Sequence, residues 1–244
     1  MKVEIYSDIA CPWCYVGERR FARALAAFPQ AEHVEVVFRP YQLDPTLPDT
    51  PRPLTEQLRE KFGPQADAMA RQVTSVATQE GLDLRFDKAQ SVNTLTAHRL
   101  LYLAEREYGP EVQRALADKL FEAHFTNGGN IADHALLTDL AVSAGLNRER
   151  VQAYLASDEG LREVQQAIMH AQRLGIRAVP TFVFDGRQAV QGGPAYPPEF
   201  LEARRQRLLR MDPGPWIAAW DSFARQDYRD VLPTIRVPTF LAYG

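Results

Sequence analysis

The sequence predicts an α/β protein in which a small sheet is interrupted by a long helical insertion. Strand patterns occur near the start of the chain and again around residues 181–191. Between them, residues 53–174 carry apolar side chains at the three- and four-residue spacing of amphipathic helices. Two cysteines lie at the junction between the first strand and the first helix, a position that makes thiols reactive. These three observations determine the predicted fold class.

The first part of the sheet is predicted from two short strands that flank one helix. Residues 2–7 contain the run Val-Glu-Ile-Tyr, which is typical of a short strand. Residues 13–28 form the helical stretch that follows. Residues 34–38, Val-Glu-Val-Val-Phe, are rich in β-branched side chains and predict the second strand.

The central part of the chain is predicted to be an all-helical insertion over residues 43–175. Asp133 suits the N-cap of one helix and Gly145 its C-cap, while Gly109 separates two others. The helical segments are predicted at residues 69–77, 102–108, 110–125, 136–141 and 161–174.

Strand patterns return after the insertion and complete the sheet. Residues 181–184 and 188–191 are separated by a predicted hairpin turn at Asp185-Gly186. A last helix is predicted near residues 198–209.

Composition and charge exclude several classes of function. The formal net charge is −3 and no Lys/Arg-rich block occurs, so no nucleic-acid partner is expected. No apolar run reaches the roughly 18–20 residues that span a bilayer, so no membrane partner is expected. The first strand and the cysteines begin so early that a signal peptide has no room. We therefore expect a cytoplasmic protein, in which a lone cysteine pair is redox-active or metal-binding.

The cysteines form the motif Cys11-Pro12-Trp13-Cys14, the most informative chemical signal in the sequence. Unpaired N–H groups and the partial positive charge of a helix N-terminus favour the thiolate, which is the nucleophilic form of cysteine. The position predicts Cys11 as the exposed attacking thiol and Cys14, one turn inside the helix, as the resolving thiol. Pro12 suits the first helical turn. Trp13 offers a flat apolar surface for a peptide or a thiol ligand.

Two simpler interpretations of the pair are inert core cysteines and half of a zinc site. Zinc takes four protein ligands in structural sites and three in catalytic sites. The histidines show no His-x₃₋₅-His spacing, and no second Cys-x-x-Cys occurs. The sequence therefore favours a redox dithiol and no metal.

A second element of the site is predicted at Val179-Pro180, just before the strand at residues 181–184. A proline at this point is compatible with a cis peptide bond. The backbone of Val179 would then stay unpaired, ready to bind an extended substrate beside Cys11. The Val-Pro dipeptide is common. Because it follows a strand–helix unit with a Cys-x-x-Cys motif, it predicts the cis-proline much more strongly.

Three segments together resemble the DsbA-like oxidoreductases of the FrnE type. The segments are Ser7–Gly17, Asn93-Thr94 with Ala97–Leu100, and Val179–Phe184. The resemblance extends over about residues 2–210 and implies a thioredoxin-like fold with a helical insertion. The thioredoxin-like domain is then expected to consist of residues 1–42 and 176–210.

The same resemblance implies dithiol–disulfide exchange on disulfide-containing proteins or small thiol substrates. It implies Cys11 as the nucleophile, Cys14 as the resolving cysteine and Pro180 as the cis-proline. No bound cofactor is expected, and glutathione or a dithiol is the candidate reductant. Monomer and homodimer both stay open.

Related families keep a second class of function open. The 2-hydroxychromene-2-carboxylate isomerases and kappa-class glutathione transferases resemble this chain in fold and insertion. They use a serine or a single activated residue with glutathione, so two cysteines favour dithiol cycling. A binding module whose helical insertion docks a partner is the third alternative.

Five more side chains near these segments are candidates for lesser roles. His98, on a helix of the insertion, is expected to be a core residue or to line the substrate cleft. Asp8 is expected to accept hydrogen bonds in the loop or at the helix entry, and His124 to pack in the core. Tyr6 and Tyr15 flank the motif and are candidates for the groove.

Residues 211–244 do not continue the pattern. They resemble the segment of α/β-hydrolases that enters a late core strand, but the chain has no G-x-S-x-G nucleophile motif. We expect an extension that packs Trp216, Trp220 and Phe223 against the domain, with no function assigned to it.

Overall fold

The structure is a computed structural model that describes residues 1–192 of the 244-residue chain. The helix expected near residues 198–209 and the extension at 211–244 lie outside the described residues. The strands are β1 (Lys2–Ser7), β2 (Glu35–Pro40), β3 (Arg52–Pro53), β4 (Gln90–Ser91), β5 (Thr181–Phe184) and β6 (Gln188–Gln191). The α-helices are α1 (Pro12–Ala26), α2 (Leu54–Phe62), α3 (Ala66–Gln79), α4 (Leu95–Tyr108), α5 (Pro110–Phe125), α6 (His134–Ser143), α7 (Arg148–Leu155) and α8 (Leu161–Arg173).

The first strand occupies a central place in a four-stranded sheet with the order β2-β1-β5-β6. It runs parallel to β2 and antiparallel to β5, so Ile5 lies between Phe38 and Phe182 in the register. A parallel pair needs a crossover connection, and α1 supplies it between β1 and β2. The N-terminus of α1 is therefore placed at the carboxyl end of an inner strand.

The β5–β6 hairpin turns at Asp185 and Gly186, as predicted. Both residues have positive φ, +48° and +65°, and with Arg187 they form the three-residue loop between the strands. Asp185 Oδ1 also accepts a hydrogen bond from the Lys2 N–H at 2.7 Å. The turn is thereby tied to the start of β1, which helps to hold β5 beside it.

The insertion between β2 and β5 is helical apart from one short ribbon that the sequence analysis missed. The ribbon consists of β3 and β4, which pair antiparallel over two residues each. The predicted N-cap of α6 is confirmed, because Asp133 Oδ1 accepts a hydrogen bond from the Leu136 N–H at 2.7 Å. The C-cap is Ala144 rather than Gly145, which follows with φ +103°.

A continuous apolar core joins the sheet, α1 and the helices of the insertion. Tyr15 on α1 stacks on Phe121 of α5, with ring centroids 5.2 Å apart. Met69 and Leu174, the outer residues of the predicted helical segments 69–77 and 161–174, are 45% and 55% exposed and do not belong to this core. Within residues 1–192, no helix combines the length and the apolar character needed to cross a membrane.

Candidate active site

The cysteine motif lies where the chain leaves β1 and enters α1. Cys11 is the N-cap residue, with extended backbone angles, and Pro12 opens the helix as predicted. The Cys14 N–H donates to the Cys11 carbonyl at 3.0 Å, and the Cys11 N–H donates to the Asp8 carbonyl at 3.0 Å. Asp8 thus bonds to the backbone of the motif from the preceding loop. The Cys11 sulfur is placed at the positive end of the helix.

Both cysteines are free thiols, and both are buried. The expectation of an exposed Cys11 was wrong: it is 5% exposed, against 1% for Cys14. The cover on Cys11 includes a distant segment, because its Sγ donates to the Val179 carbonyl at 3.7 Å. Burial raises the pKa of Cys14 well above its ordinary value. The hydrogen bond to Cys11 and the charge of Cys11 raise it further. Cys14 is therefore held as a protonated thiol.

The segment that meets Cys11 contains the expected cis peptide bond, between Val179 and Pro180. The Val179 carbonyl contacts the Cys11 thiol, whereas its N–H has no hydrogen-bond partner within the described residues. Gly17 of α1 lets the proline approach closely, since a Cβ there would lie 2.8 Å from Pro180 Cγ. The structure thus brings the two predicted halves of the site together, while Val179 as a substrate contact stays a prediction.

The other predicted substrate contacts lie in different positions. Trp13 is partly buried and packs against the core cluster, so its role toward a substrate stays a prediction. His98 is buried beneath the motif, with only 2% of its side chain exposed, and its Nε2 lies 3.3 Å from Asp8 Oδ1. Asp8 is the loop acceptor that the sequence predicts: its carboxylate accepts the N–H groups of Ala10 at 3.3 Å and Leu43 at 2.7 Å. The pairing of Asp8 with His98 is new.

The remaining candidates belong to the core. His124 packs as expected, with its ring edge-on to Phe125 at 4.5 Å. Neither of its ring nitrogens has a hydrogen-bond partner in the part of the chain that the structure describes. Burial lowers the pKa of His124 to about 4, although the charge of Asp8 acts in the opposite direction. Tyr6 and Tyr15 are also buried, so neither forms an open groove.

Sequence reasoning missed a pair of carboxyl groups one turn below Cys14. Glu18 on α1 faces Asp118 on α5, and Glu18 is 1% exposed. Burial, followed by the charge and hydrogen bond of Asp118, raises the pKa of Glu18 to about 8. Arg114 opposes this shift, with its Nε 3.6 Å from Glu18 Oε1. At neutral pH the Glu18 carboxyl therefore keeps its proton.

A buried cysteine pair at a helix N-terminus, facing a cis-proline on an adjacent strand of a mixed sheet, defines the class of thioredoxin-fold dithiol proteins. Sequence comparison agrees and is more specific. The profile of the DSBA-like thioredoxin domain family matches residues 2–204. The chain belongs to this family of oxidoreductases.

Several solved structures are similar to this chain. A structure described as a probable DsbA oxidoreductase from Streptomyces coelicolor is 40% identical, with a TM-score of 0.72 over 85% of this chain and 90% of that one. The cytosolic disulfide reductase DsbM from Pseudomonas aeruginosa, with GSH, is 21% identical, with a TM-score of 0.59 over 86% and 100%. A 2-hydroxychromene-2-carboxylate isomerase is 16% identical, with a TM-score of 0.60 over 87% and 98%. The last two share the fold.

Proposed function

We propose that the protein is a thiol–disulfide oxidoreductase in which Cys11 attacks and Cys14 resolves. The observation that carries this is the contact of the Cys11 sulfur, at a helix N-terminus, with the backbone before the cis-proline. The helix terminus favours the thiolate that attacks a disulfide. The buried Cys14 stays protonated in the resting state and is held ready for the second step.

The reaction is a two-electron exchange. The Cys11 thiolate attacks one sulfur of the substrate disulfide, forming a mixed disulfide and releasing the other sulfur as a thiolate. Cys14 then loses its proton and attacks Cys11 Sγ, which breaks the mixed disulfide and releases the second substrate thiolate. The substrate disulfide has been reduced to two thiols and the enzyme dithiol oxidised to a disulfide. The reverse sequence oxidises a substrate dithiol.

The substrate-binding backbone is proposed to be that of Val179. Its unpaired N–H and nearby carbonyl present an edge to which an extended peptide or a thiol tripeptide can bond. Glutathione is the reductant that we propose for the oxidised form, and disulfide-containing proteins or small disulfides are the proposed substrates. A cytoplasmic location and membership of the FrnE type are parts of the same proposal.

Trapping of the mixed disulfide tests the proposal. Cys14→Ser should form a stable adduct through Cys11 with disulfide-bonded insulin or an aromatic disulfide, seen as added mass on the intact protein. Cys11→Ser is the matched control and should form none. Wild-type protein should turn over insulin disulfides in the presence of glutathione. Absence of both adduct and turnover would defeat the proposal.

The same variants separate the alternative function. A glutathione-dependent isomerase or transferase needs one activated group only. Saturable glutathione conjugation that persists in Cys14→Ser, together with no disulfide turnover in wild type, would favour that alternative.

A further inference from the structure

In the resolving step, the buried Cys14 thiol must transfer its proton out of the protein interior. Cys14 is 1% exposed, and burial raises its pKa well above the ordinary value. Solvent has poor access to its thiol, yet the thiol must be deprotonated before it can attack the mixed disulfide. A base close to Cys14 would therefore determine how fast the second step runs.

Two groups at the end of β1 act on the Cys14 thiol. The Ser7 hydroxyl and the Asp8 backbone N–H both lower its pKa, although they do not outweigh burial. The Ser7 hydroxyl is itself buried and has no hydrogen-bond partner within residues 1–192. An unsatisfied hydroxyl can accept a proton from one side and donate one to the other.

Ser7 and His98 both line a cavity of about 80 Å³. A space of roughly 10–15 Å³ is enough for one water molecule when polar partners are present. His98 Nε2 is engaged by the buried Asp8 carboxylate at 3.3 Å. In a neutral imidazole, the hydrogen bond made by one ring nitrogen determines which of the two nitrogens carries the proton. Nδ1 is then the acceptor, and no donor to it is found among the described residues.

Other charged and titratable groups surround this pair. His124 of α5 and Tyr41, after β2, feel the charge of Asp8. Arg39, Tyr102 and Glu105 line the same cavity as His98. Arg39 is already paired, donating to Glu4 at 2.7 Å and to Glu105 at 2.9 Å. Within this group, His98 is the imidazole that both contacts the Asp8 carboxylate and lines the cavity that Ser7 lines.

We propose that His98, oriented by Asp8, is the proton acceptor for Cys14 in the resolving step, reached through the Ser7 hydroxyl and the cavity. This rests on the proposed function. The Cys14 proton passes to Ser7 Oγ while the Ser7 proton moves through water to His98 Nδ1. The Cys14 thiolate attacks Cys11 Sγ, and the substrate thiolate leaves and is reprotonated from solvent as His98 gives up its proton. Asp8 and His98 act through Ser7, so they are positioning residues for this transfer.

The test separates the two chemical steps with a chromogenic aromatic disulfide added at one equivalent to the reduced protein. The first coloured thiolate reports attack by Cys11 and depends on reagent concentration. The second coloured thiolate reports resolution by Cys14, and its rate does not depend on reagent concentration. We expect His98→Gln to leave the first rate within about twofold and to slow the second by at least tenfold near neutral pH, since a general base contributes about 10²–10⁴-fold. The second rate in this variant should also rise more steeply with pH than in wild type.

Two further variants and a control complete the design. Asp8→Asn and Ser7→Ala should slow the same step, and Ser7→Ala keeps the test in force if Asp8→Asn does not fold. His134→Gln removes an exposed histidine on α6 and should leave both rates unchanged. An unaltered second rate and pH profile in His98→Gln, or equal loss of both rates, would overturn the relay. Failure of wild type to release the second thiolate would instead refute dithiol exchange itself.

Discussion

The Glu18–Asp118 pair predicts that the free energy of unfolding falls as pH rises above neutrality. The folded state holds the Glu18 carboxyl at a pKa of about 8, against an ordinary value of 4.5. Because the folded value is the higher one, the folded state binds this proton more tightly than the unfolded state. The stabilisation is fully present below about pH 4.5 and is lost as pH rises through about 8.

The size of the effect follows from the two pKa values. One unit of pKa difference corresponds to about 1.36 kcal/mol. Between about pH 6.5 and about pH 8.5 the unfolded chain has already released the Glu18 proton, while the folded chain is releasing it. The loss over this window is about 2 kcal/mol. The window begins at the ordinary pKa of His124, 6.5, and this residue affects wild type and a Glu18 variant alike.

Glu18→Gln is the informative substitution, because glutamine keeps the shape and can donate to Asp118 but cannot ionise. Urea unfolding of the reduced protein, followed by far-UV circular dichroism, gives the free energy of unfolding at each pH. Across the window, the free energy of unfolding of wild type should fall by about 2 kcal/mol more than that of Glu18→Gln. Glu163→Gln, which changes an exposed carboxylate on α8, should keep the wild-type slope. Parallel slopes for wild type and Glu18→Gln would refute the raised pKa of Glu18.

Two other substitutions test the core and the site. His124→Leu removes a buried imidazole whose pKa is lowered to about 4; its contribution is present above pH 6.5 and lost as pH falls toward 4. In urea unfolding the variant should therefore lose up to about 3 kcal/mol less than wild type between these values, and equal acid sensitivity would contradict this. Gly17→Ala places a Cβ 2.8 Å from Pro180 Cγ, so it should cost about 1–3 kcal/mol of stability and slow the attack by Cys11. A more stable variant with an unchanged rate would show that the close approach is not needed.

The sheet, the hairpin and the cysteine motif were predictable because their signals are local. Alternating strands, an Asp185-Gly186 turn and a Cys-x-x-Cys at a strand–helix junction each lie within a few consecutive residues. Pro180 was predictable only from its order in the chain relative to that motif. The β3–β4 ribbon was not predicted, since two residues per strand carry no periodicity.

The features that the sequence did not predict depend on contacts between residues far apart in the chain. Asp8 and His98 lie 90 residues apart in sequence, and Glu18 and Asp118 belong to different helices. Each looks like an isolated polar residue, and nothing beside it in the sequence indicates its partner. The burial of Cys11 is of the same kind, because its cover includes a backbone 168 residues further along.

The separation of Cys11 from Val179 also affects how the protein is made. The two are 168 residues apart, and synthesis at about 5–20 residues per second takes about 8–34 s to cover that distance. During this interval β1 lacks its neighbour β5, and the cysteines lack the segment that covers them. The nascent chain thus presents two uncovered thiols to every disulfide around it. Such a chain can form a mixed disulfide with a foreign disulfide before its own site exists, so its yield should vary with the redox conditions during synthesis.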